Sequence, residues 1–336
     1  MAERVFVTGA TGFIGYHLVK ELSQAGAQIS CLIRPTSDIS SLKEFDVSYV
    51  RGDILDKASL VEPVAGADVV YHLAGAQESF NYRDYYAVNE GGTNNLLEAC
   101  ALSPSPPIFL YISSLAAAGP AHIDSPNSES DVPNPVSIYA RSKLAAEKAA
   151  ESWAGKVPIT ILRPAAVFGE FDRDTFIIVG FVARGFHLVW GSETMYHSAI
   201  HAADLAKVLT LAAQKGERLP PVNGSKGQGI YNVAYEKVPE YEEFGRLLAD
   251  GLHRKRFRIL RVPNAVVWGM ALVSELFGRI LRKPNILTLD KARDLTAGSM
   301  VCSTVKIREQ LGFIPKMSLE ERIRQTMQWY LEQGWL

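Results

Sequence analysis

Residues 5–15 read Val-Phe-Val-Thr-Gly-Ala-Thr-Gly-Phe-Ile-Gly. A short β-branched run enters three glycines, Gly9, Gly12 and Gly15, and an amphipathic helical pattern follows. That order suits a dinucleotide pyrophosphate. The first glycine permits a tight turn, the second lets backbone approach the phosphates, and the third lets the helix close on the strand. The first N–H groups of the helix, at Phe13, Ile14 and Gly15, then face the negative charge, with Thr11 beside them.

Outward from this loop the chain alternates. Strand-like runs fall at 4–8, 28–33, 47–50, 68–72, 108–113 and 159–163, with helical patterns such as 13–25, 84–101 and 136–153 between them. This spacing predicts an α/β fold, a doubly wound parallel sheet of the Rossmann type. Runs such as Asp68-Val-Val-Tyr-His-Leu73 and Ile108-Phe-Leu-Tyr-Ile112 are apolar enough for strands covered on both faces. The loop 119–135 is long for a compact domain, which marks it as functional. After Phe168 the rhythm changes, and the later helical patterns lack partner strands. We read 1–168 plus about 196–235 as the nucleotide-binding domain, and 169–195 plus 236–336 as a smaller, mainly helical substrate domain.

Composition narrows the class. The 336 residues carry 35 basic and 36 acidic side chains, a net charge of −1, so no electrostatic case exists for nucleic acid. Cys31, Cys100 and Cys302 are too scattered for a disulfide framework or a metal site and read as reduced core thiols of a cytoplasmic protein. The chain runs at once into a strand, so no signal peptide is expected. No apolar run reaches spanning length. A membrane surface is not expected as a partner either. The run 262–281, ending in Arg279, Arg282 and Lys283, is the one stretch compatible with such a surface.

Candidate chemistry sits at Ser137-Ile-Tyr-Ala-Arg-Ser-Lys143. On a helix, Tyr139 and Lys143 are one turn apart and share a face. An ammonium nearby favours phenolate and lowers a tyrosine pKa from its ordinary value of about 10, fitting it to exchange a proton with a carbonyl or alcohol. Ser113 and Ser114 end the preceding apolar run, where ligands sit in open α/β sheets.

Taken together these motifs resemble the extended short-chain dehydrogenase/reductase family, which includes nucleotide-sugar epimerases and dehydratases. The opening loop, Gly52-Asp-Ile54, His72-Leu-Ala-Gly-Ala76, Val88-Asn-Glu-Gly91, Ser113-Ser114, Tyr139-Ala-Arg-Ser-Lys143 and Leu162-Arg-Pro164 fall in the family's order, and the likeness extends to Gly312-Phe-Ile-Pro315. The resemblance implies that Asp53 and Ile54 contact adenine, that Leu73, Ala74 and Ala76 line the cofactor path, and that Pro164 and Val167 border the nicotinamide. It implies Ser114, rather than Ser113, as the catalytic serine, Tyr139 as acid/base, Lys143 on the ribose and Asn89 beside them. It also implies a homodimer through the helices at 84–101 and 136–153.

The second strand ends Cys31-Leu-Ile-Arg-Pro-Thr-Ser37 with no acid to hold a ribose 2′-hydroxyl. Arg34 and Ser37 there favour a 2′-phosphate, hence NADP, with NAD as the alternative. Two departures separate the chain from nucleotide-sugar enzymes. Ala166 stands where many members carry asparagine, and His197 where they carry arginine. Phe168, Phe171, Phe176, Phe181, Phe186, Trp190 and Tyr196 are instead expected either to line an apolar pocket for a hydrophobic small molecule or to form the smaller domain's own core. The ensemble is most similar to the branch with dihydroflavonol reductases and hydroxysteroid dehydrogenases, which implies hydride transfer at a carbonyl or alcohol. The alternatives are a nucleotide-sugar epimerase or dehydratase with tightly bound NAD, and a cofactor-binding regulator without activity.

Overall fold

A computed structural model describes residues 2–77, 79, 81–221, 224–281 and 287–336. Arg282 and Lys283 lie outside them. The strands are β1 (Arg4–Thr8), β2 (Gln28–Ile33), β3 (Val47–Arg51), β4 (Val69–His72), β5 (Ile108–Ile112), β6 (Ile159–Pro164), β7 (Ala166–Phe168), β8 (Phe186–Trp190), β9 (Ala199–His201), β10 (Ile230–Val233) and β11 (Arg258–Val262). Seven form one sheet in the order β10-β6-β5-β4-β1-β2-β3, with every pair parallel. The order reverses between β1 and β4, which opens a crevice at the carboxyl ends of the strands.

Period-2 alternation divides the core. In β1, Val5 and Val7 pack on one side with Leu18, Val19 and Leu22 of the helix Phe13–Gln24 and with Leu205 and Leu209 of the helix Ala202–Lys215. Phe6 points to the other side, among Leu97 of the helix Gly92–Ala101 and Ala146 of the helix Ile138–Trp153. All four residues of β4 and all six of β6 are buried, as expected for strands covered on both faces.

The helical pattern at 84–101 is interrupted. A helix over Tyr82–Tyr86 passes through one π-helical turn at Ala87–Gly91 before the helix Gly92–Ala101. The pattern at 136–153 starts later, at Ile138, because Ser137 Oγ accepts from the Ala140 N–H at 3.0 Å and caps the helix.

Beyond Phe168 the expectation of helices without partner strands is corrected. β8 pairs in parallel with β11, from Phe186 opposite Arg258 to Trp190 opposite Val262, and β7 pairs with β9. The sequence hid this because β11 reads Arg-Ile-Leu-Arg-Val, a mixed edge pattern, and its partner lies far back along the chain. The helices Tyr241–Gly251, Asn264–Leu281, Leu289–Thr296, Val305–Leu311 and Leu319–Glu332 complete a mainly helical C-terminal region. The loop 119–135 is fastened to that region, with Ala121 and Asn127 N–H donating to the Ser299 and Val301 carbonyls. Cys31, Cys100 and Cys302 are buried free thiols. No helix among the described residues is long and apolar enough to cross a membrane.

Candidate active site

Gly9, Arg34, Asp53, Leu73, Ala74 and Ser114 follow the carboxyl ends of parallel strands, whereas Asn89, Tyr139 and Lys143 stand on helical segments that bond to the backbone there. Gly9 leaves β1 with φ +74°, and a Cβ there would sit 2.7 Å from the Ala74 nitrogen. A Cβ on Gly15 would overlap the Gly9 carbonyl and stand 2.7 Å from the Ala10 carbonyl carbon. Gly12 is the N-cap of the helix Phe13–Gln24 and gives it no side-chain cap. The first N–H groups of that helix therefore open onto the loop, as an anion site requires.

Along the sheet's carboxyl edge, Ile54 is buried beneath Gly92, and the Asp53 carboxylate accepts from the Leu55 N–H at 2.9 Å. Arg34 is exposed after β2. Its N–H donates to Ser37 Oγ at 3.0 Å, and its guanidinium has no hydrogen-bond partner among the described residues. Pro164 ends β6, and Val167 follows in β7 against the core.

A buried hydrogen-bond chain ties the loop to the centre. The Ala74 N–H donates to Thr8 Oγ1 (3.2 Å), which lies 2.7 Å from His72 Nδ1. His72 Nε2 lies 3.0 Å from Thr93 Oγ1, and that hydroxyl donates to the Asn89 carbonyl (2.5 Å). Since the Thr93 proton is already committed, the network assigns the imidazole proton to Nε2. Burial holds the His72 pKa down at about 3, so the ring is neutral.

Asn89 sits in the π-helical turn and is 1% exposed. Its Oδ1 accepts from the Ala76 N–H (2.8 Å), and its Nδ2 donates to the Ala76 carbonyl (3.1 Å) and to Ser142 Oγ (2.8 Å). The amide is spent on tying the 73–76 loop to the helix Ile138–Trp153. Asn89 is thus placed to position that helix rather than to touch substrate.

Two serines end β5 and part company. Ser113 Oγ donates to Glu147 Oε1 at 2.5 Å, inside a buried pair in which Arg163 Nε and Nη2 donate to Glu147 Oε1 and Oε2 at 2.9 and 2.6 Å. Ser114 is half-buried, its Oγ accepts from the Ala116 N–H at 3.2 Å, and its hydroxyl works to lower the Tyr139 pKa. On the same helix, Lys143 is buried, donates to the Ile112 carbonyl at 2.6 Å, and lies 4.7 Å above the Tyr111 ring.

The protonation states depart from the expectation that Lys143 lowers the Tyr139 pKa. Burial pushes the Tyr139 pKa up to about 12, against an opposing contribution from the Ser114 hydroxyl. Burial likewise brings the Lys143 pKa down to about 7, only partly countered by Glu147. Desolvation acts on both groups and outweighs their proximity.

Of the two expectations for the aromatic segment, packing prevails at Phe168, Phe171 and Phe176. Phe168 lies in the core beside His201 and Phe244. Phe171 contacts Tyr16 and Trp329, and Phe176 contacts Tyr330 and Trp335. Phe171 and Phe176 thus fasten the C-terminal stretch 329–335 to the body, and Phe171 with Trp329 also lines a recess shared with Tyr16, His17 and Arg322. Phe181 and Phe186 are exposed. His197 does reach a buried setting, where desolvation lowers its pKa to about 4, and Ala166 is exposed.

Sequence reasoning missed Thr8, Thr93, Ser142, Glu147, Arg163 and Asp290. Asp290, on the helix Leu289–Thr296, accepts from the Ile138 and Tyr139 N–H groups at 2.8 and 3.1 Å and so clamps the first turn of the helix that carries Tyr139. Burial raises the pKa of Asp294, on the same helix, to about 6. Of these, only Thr8, Ser142 and Arg163 stood inside quoted motifs. A recess of about 640 Å³ lined by Arg4, Gln28 and Val47 lies at the amino ends of the strands, away from where parallel sheets bind ligands.

Comparison with known proteins agrees with this geometry. Residues 5–234 match the NAD dependent epimerase/dehydratase family. The chain is 28% identical over 332 residues to the ceramide reductase of Caulobacter vibrioides, covering 99% of this chain and 96% of that protein. It is 26% identical over 341 residues to the decarboxylating sterol-4-alpha-carboxylate 3-dehydrogenase of Dictyostelium discoideum, covering 95% and 98%. The fold is similar to that of UDP-glucose 4-epimerase from Thermotoga maritima, with a TM-score of 0.78 at 20% identity over 98% of this chain and 99% of that one. With its glycine loop, its Ser–Tyr–Lys edge and a family match over most of its length, the chain belongs to the NAD-dependent epimerase/dehydratase family and is an NAD(P)-dependent enzyme of the extended short-chain dehydrogenase/reductase type.

Proposed function

We propose that this enzyme is an oxidoreductase that transfers a hydride between NADP(H) and the carbonyl or alcohol carbon of an apolar small molecule. The observation that carries the reading is the anchoring of Lys143 on the Ile112 carbonyl at the carboxyl end of β5, just before Ser114, with Tyr139 one helical turn away on the same helix as Lys143.

The crowded glycine loop fits a pyrophosphate, and the unpaired Arg34 guanidinium with Ser37 beside it fits a 2′-phosphate. When bound, the cofactor supplies or accepts the hydride. Ser114 holds the substrate oxygen. In reduction, Tyr139 gives its hydroxyl proton to that oxygen as the carbonyl carbon gains the hydride, and in oxidation it takes the proton back. With its pKa raised by burial, Tyr139 holds its proton at neutral pH, which is the form that reduction uses. Lys143 is anchored by the Ile112 carbonyl and has further N–H donors for the ribose hydroxyls.

The substrate class follows from what the site lacks and from its relatives. His197 is neutral at pH 7 and Ala166 carries no polar group, so neither serves a diphosphate as arginine and asparagine do. Two relatives are named for redox chemistry on a ceramide and on a sterol carboxylate, which favours a lipid-class substrate.

The test is NADPH consumption with a pool of hydrophobic ketones and aldehydes beside a pool of nucleotide-sugars. Consumption with the first pool is expected. Conversion of a nucleotide-sugar without net consumption overturns the reading in favour of an epimerase or dehydratase. Tyr139→Phe should bind NADPH normally while turnover falls by roughly 10²–10⁴-fold, and undiminished turnover would remove Tyr139 from the mechanism. Arg34→Ala should erode the preference for NADPH over NADH. An unchanged preference assigns the 2′-phosphate to another residue.

A further inference from the structure

The helix Asn264–Leu281 has two apolar sides, and only one is used. Val267 and Ala271 are fully buried with Ala292, and Trp190, Val262, Leu287 and Leu289 pack around them. On the opposite side Val266, Met270, Val273, Phe277 and Ile280 recur at steps of four and three, which places them in one stripe along the helix. They are 47, 41, 53, 59 and 75% exposed, and Leu272 and Leu276 widen the face. Single exposed apolar residues are ordinary on a protein surface, but seven on one helix form a contiguous patch that calls for a partner. The helix carries only two charges, Glu275 and Arg279. They pair with each other at 2.7 Å, and Glu275 also accepts from the Leu289 N–H at 3.0 Å.

The charge around this face identifies the partner. Residues 254–281 hold six cations (Arg254, Lys255, Arg256, Arg258, Arg261 and Arg279) against the single acid Glu275, in a chain whose totals are 35 and 36. Arg254 donates to the Ala183 carbonyl and Arg261 pairs with Glu242. Lys255, Arg256 and Arg258 are exposed and have no carboxylate partner among the described residues. An apolar stripe on a helix that follows closely on a run of uncompensated cations is the complement of a bilayer, with its acyl boundary and anionic headgroups.

We propose that the helix Asn264–Leu281 and the basic stretch before it dock the protein on an anionic phospholipid surface. The helix, about 27 Å long, lies in the interface plane. Its outward stripe sinks to the acyl boundary, roughly 5–10 Å deep, and Lys255, Arg256 and Arg258 meet the phosphates. The inner side stays on Ala292, so the helix does not span. Docking is independent of the reaction proposed above, although it would set that site beside a reservoir of apolar substrate. The route is short. Glu275 binds the start of the helix Leu289–Thr296, and Asp290 of that helix clamps the Tyr139 N–H.

Flotation of the full-length protein with phosphatidylcholine vesicles, and with the same vesicles containing about 30% phosphatidylglycerol, tests this. Strong recovery with the anionic vesicles, weak recovery with the neutral ones and loss in high salt are expected. Phe277→Glu with Ile280→Glu, and separately the triple change Lys255→Ala, Arg256→Ala and Arg258→Ala, should each cut recovery by about tenfold or more. NADPH binding should be unchanged in both, which confirms folding. Wild type that ignores both vesicle types, or variants that float as well as wild type, would overturn the proposal. So would a dimer in solution that Phe277→Glu with Ile280→Glu splits while wild type fails to float, because a second copy then covers the face. NADPH turnover is read separately, so failure here leaves the catalytic reading intact.

Discussion

The glycine loop at residues 9–15 and the helix Asn264–Leu281 are opposites in how much their surroundings demand of them. In the loop, a methyl group on Gly9 or Gly15 would strike backbone that cannot yield. On the outward face of the helix, Phe277 and Ile280 are more than half exposed and meet little of the protein. The first surface is shaped from backbone for one polar ligand of fixed form. The second has no shape to match and suits a partner that is itself a fluid surface. Tolerance to substitution should therefore differ sharply between them.

The largest effect is expected at Gly15→Ala. Its Cβ must push the helix Phe13–Gln24 off β1, at a cost of about 3 kcal/mol or more in unfolding free energy, with loss of nucleotide binding. Denaturant melts and NADPH titration check both. A near-normal melt would show that the loop yields and would weaken the contrast.

The next effect tests the cost of the polar edge. The Lys143 pKa lies near 7 in the folded protein, below the ordinary lysine value of 10.5. Between these two pH values the unfolded chain holds more protons than the folded one, so this group makes stability rise with pH across that window and contributes nothing to the slope below it. Lys143→Met removes the contribution. The stability difference between variant and wild type should shrink, in the variant's disfavour, by about 1 kcal/mol per pH unit from pH 7.5 to 9.5. A difference that does not change with pH would mean Lys143 is fully solvated.

Asp290→Asn is expected to cost about 1 kcal/mol, since an amide caps the Ile138 and Tyr139 N–H groups less well than a carboxylate. It should also lower turnover more than NADPH affinity, because the first turn of the helix carries Tyr139. The smallest change is Phe277→Ser, expected within about 0.5 kcal/mol of wild type by the same melts. A larger loss would show that the outward face is already packed.

What the sequence made legible follows the range of the interactions. The loop, the six N-terminal strands and the Tyr139–Lys143 spacing are local patterns, and strand–helix alternation brings them to one edge. Ser114 could be separated from Ser113 only through resemblance, and the structure gives the physical distinction: Ser113 binds Glu147 within the Arg163 pair. Such a pair, like the Thr8–His72–Thr93 chain, joins residues on different elements and leaves no periodic trace. Composition could not separate the two expectations for Phe168, Phe171 and Phe176, because an aromatic that fastens two helices looks the same in sequence as one that lines a pocket. The run 262–281 stood out in sequence as compatible with a membrane surface, but only the structure separates its inner residues Val267 and Ala271 from the exposed stripe at 266–280. The Tyr139 pKa could not be read from spacing either, since burial decided it.

Asp290 carries a consequence for how this chain can be rebuilt. The family match ends at residue 234, yet a carboxylate far beyond it holds the backbone of Tyr139. The part of the chain beyond that match is thus no detachable cap that an engineer can exchange at will. A chimera that grafts a new C-terminal region onto this sheet inherits the glycine loop intact but loses the clamp on the first turn that carries Tyr139, unless the incoming segment brings an acceptor to the same two N–H groups.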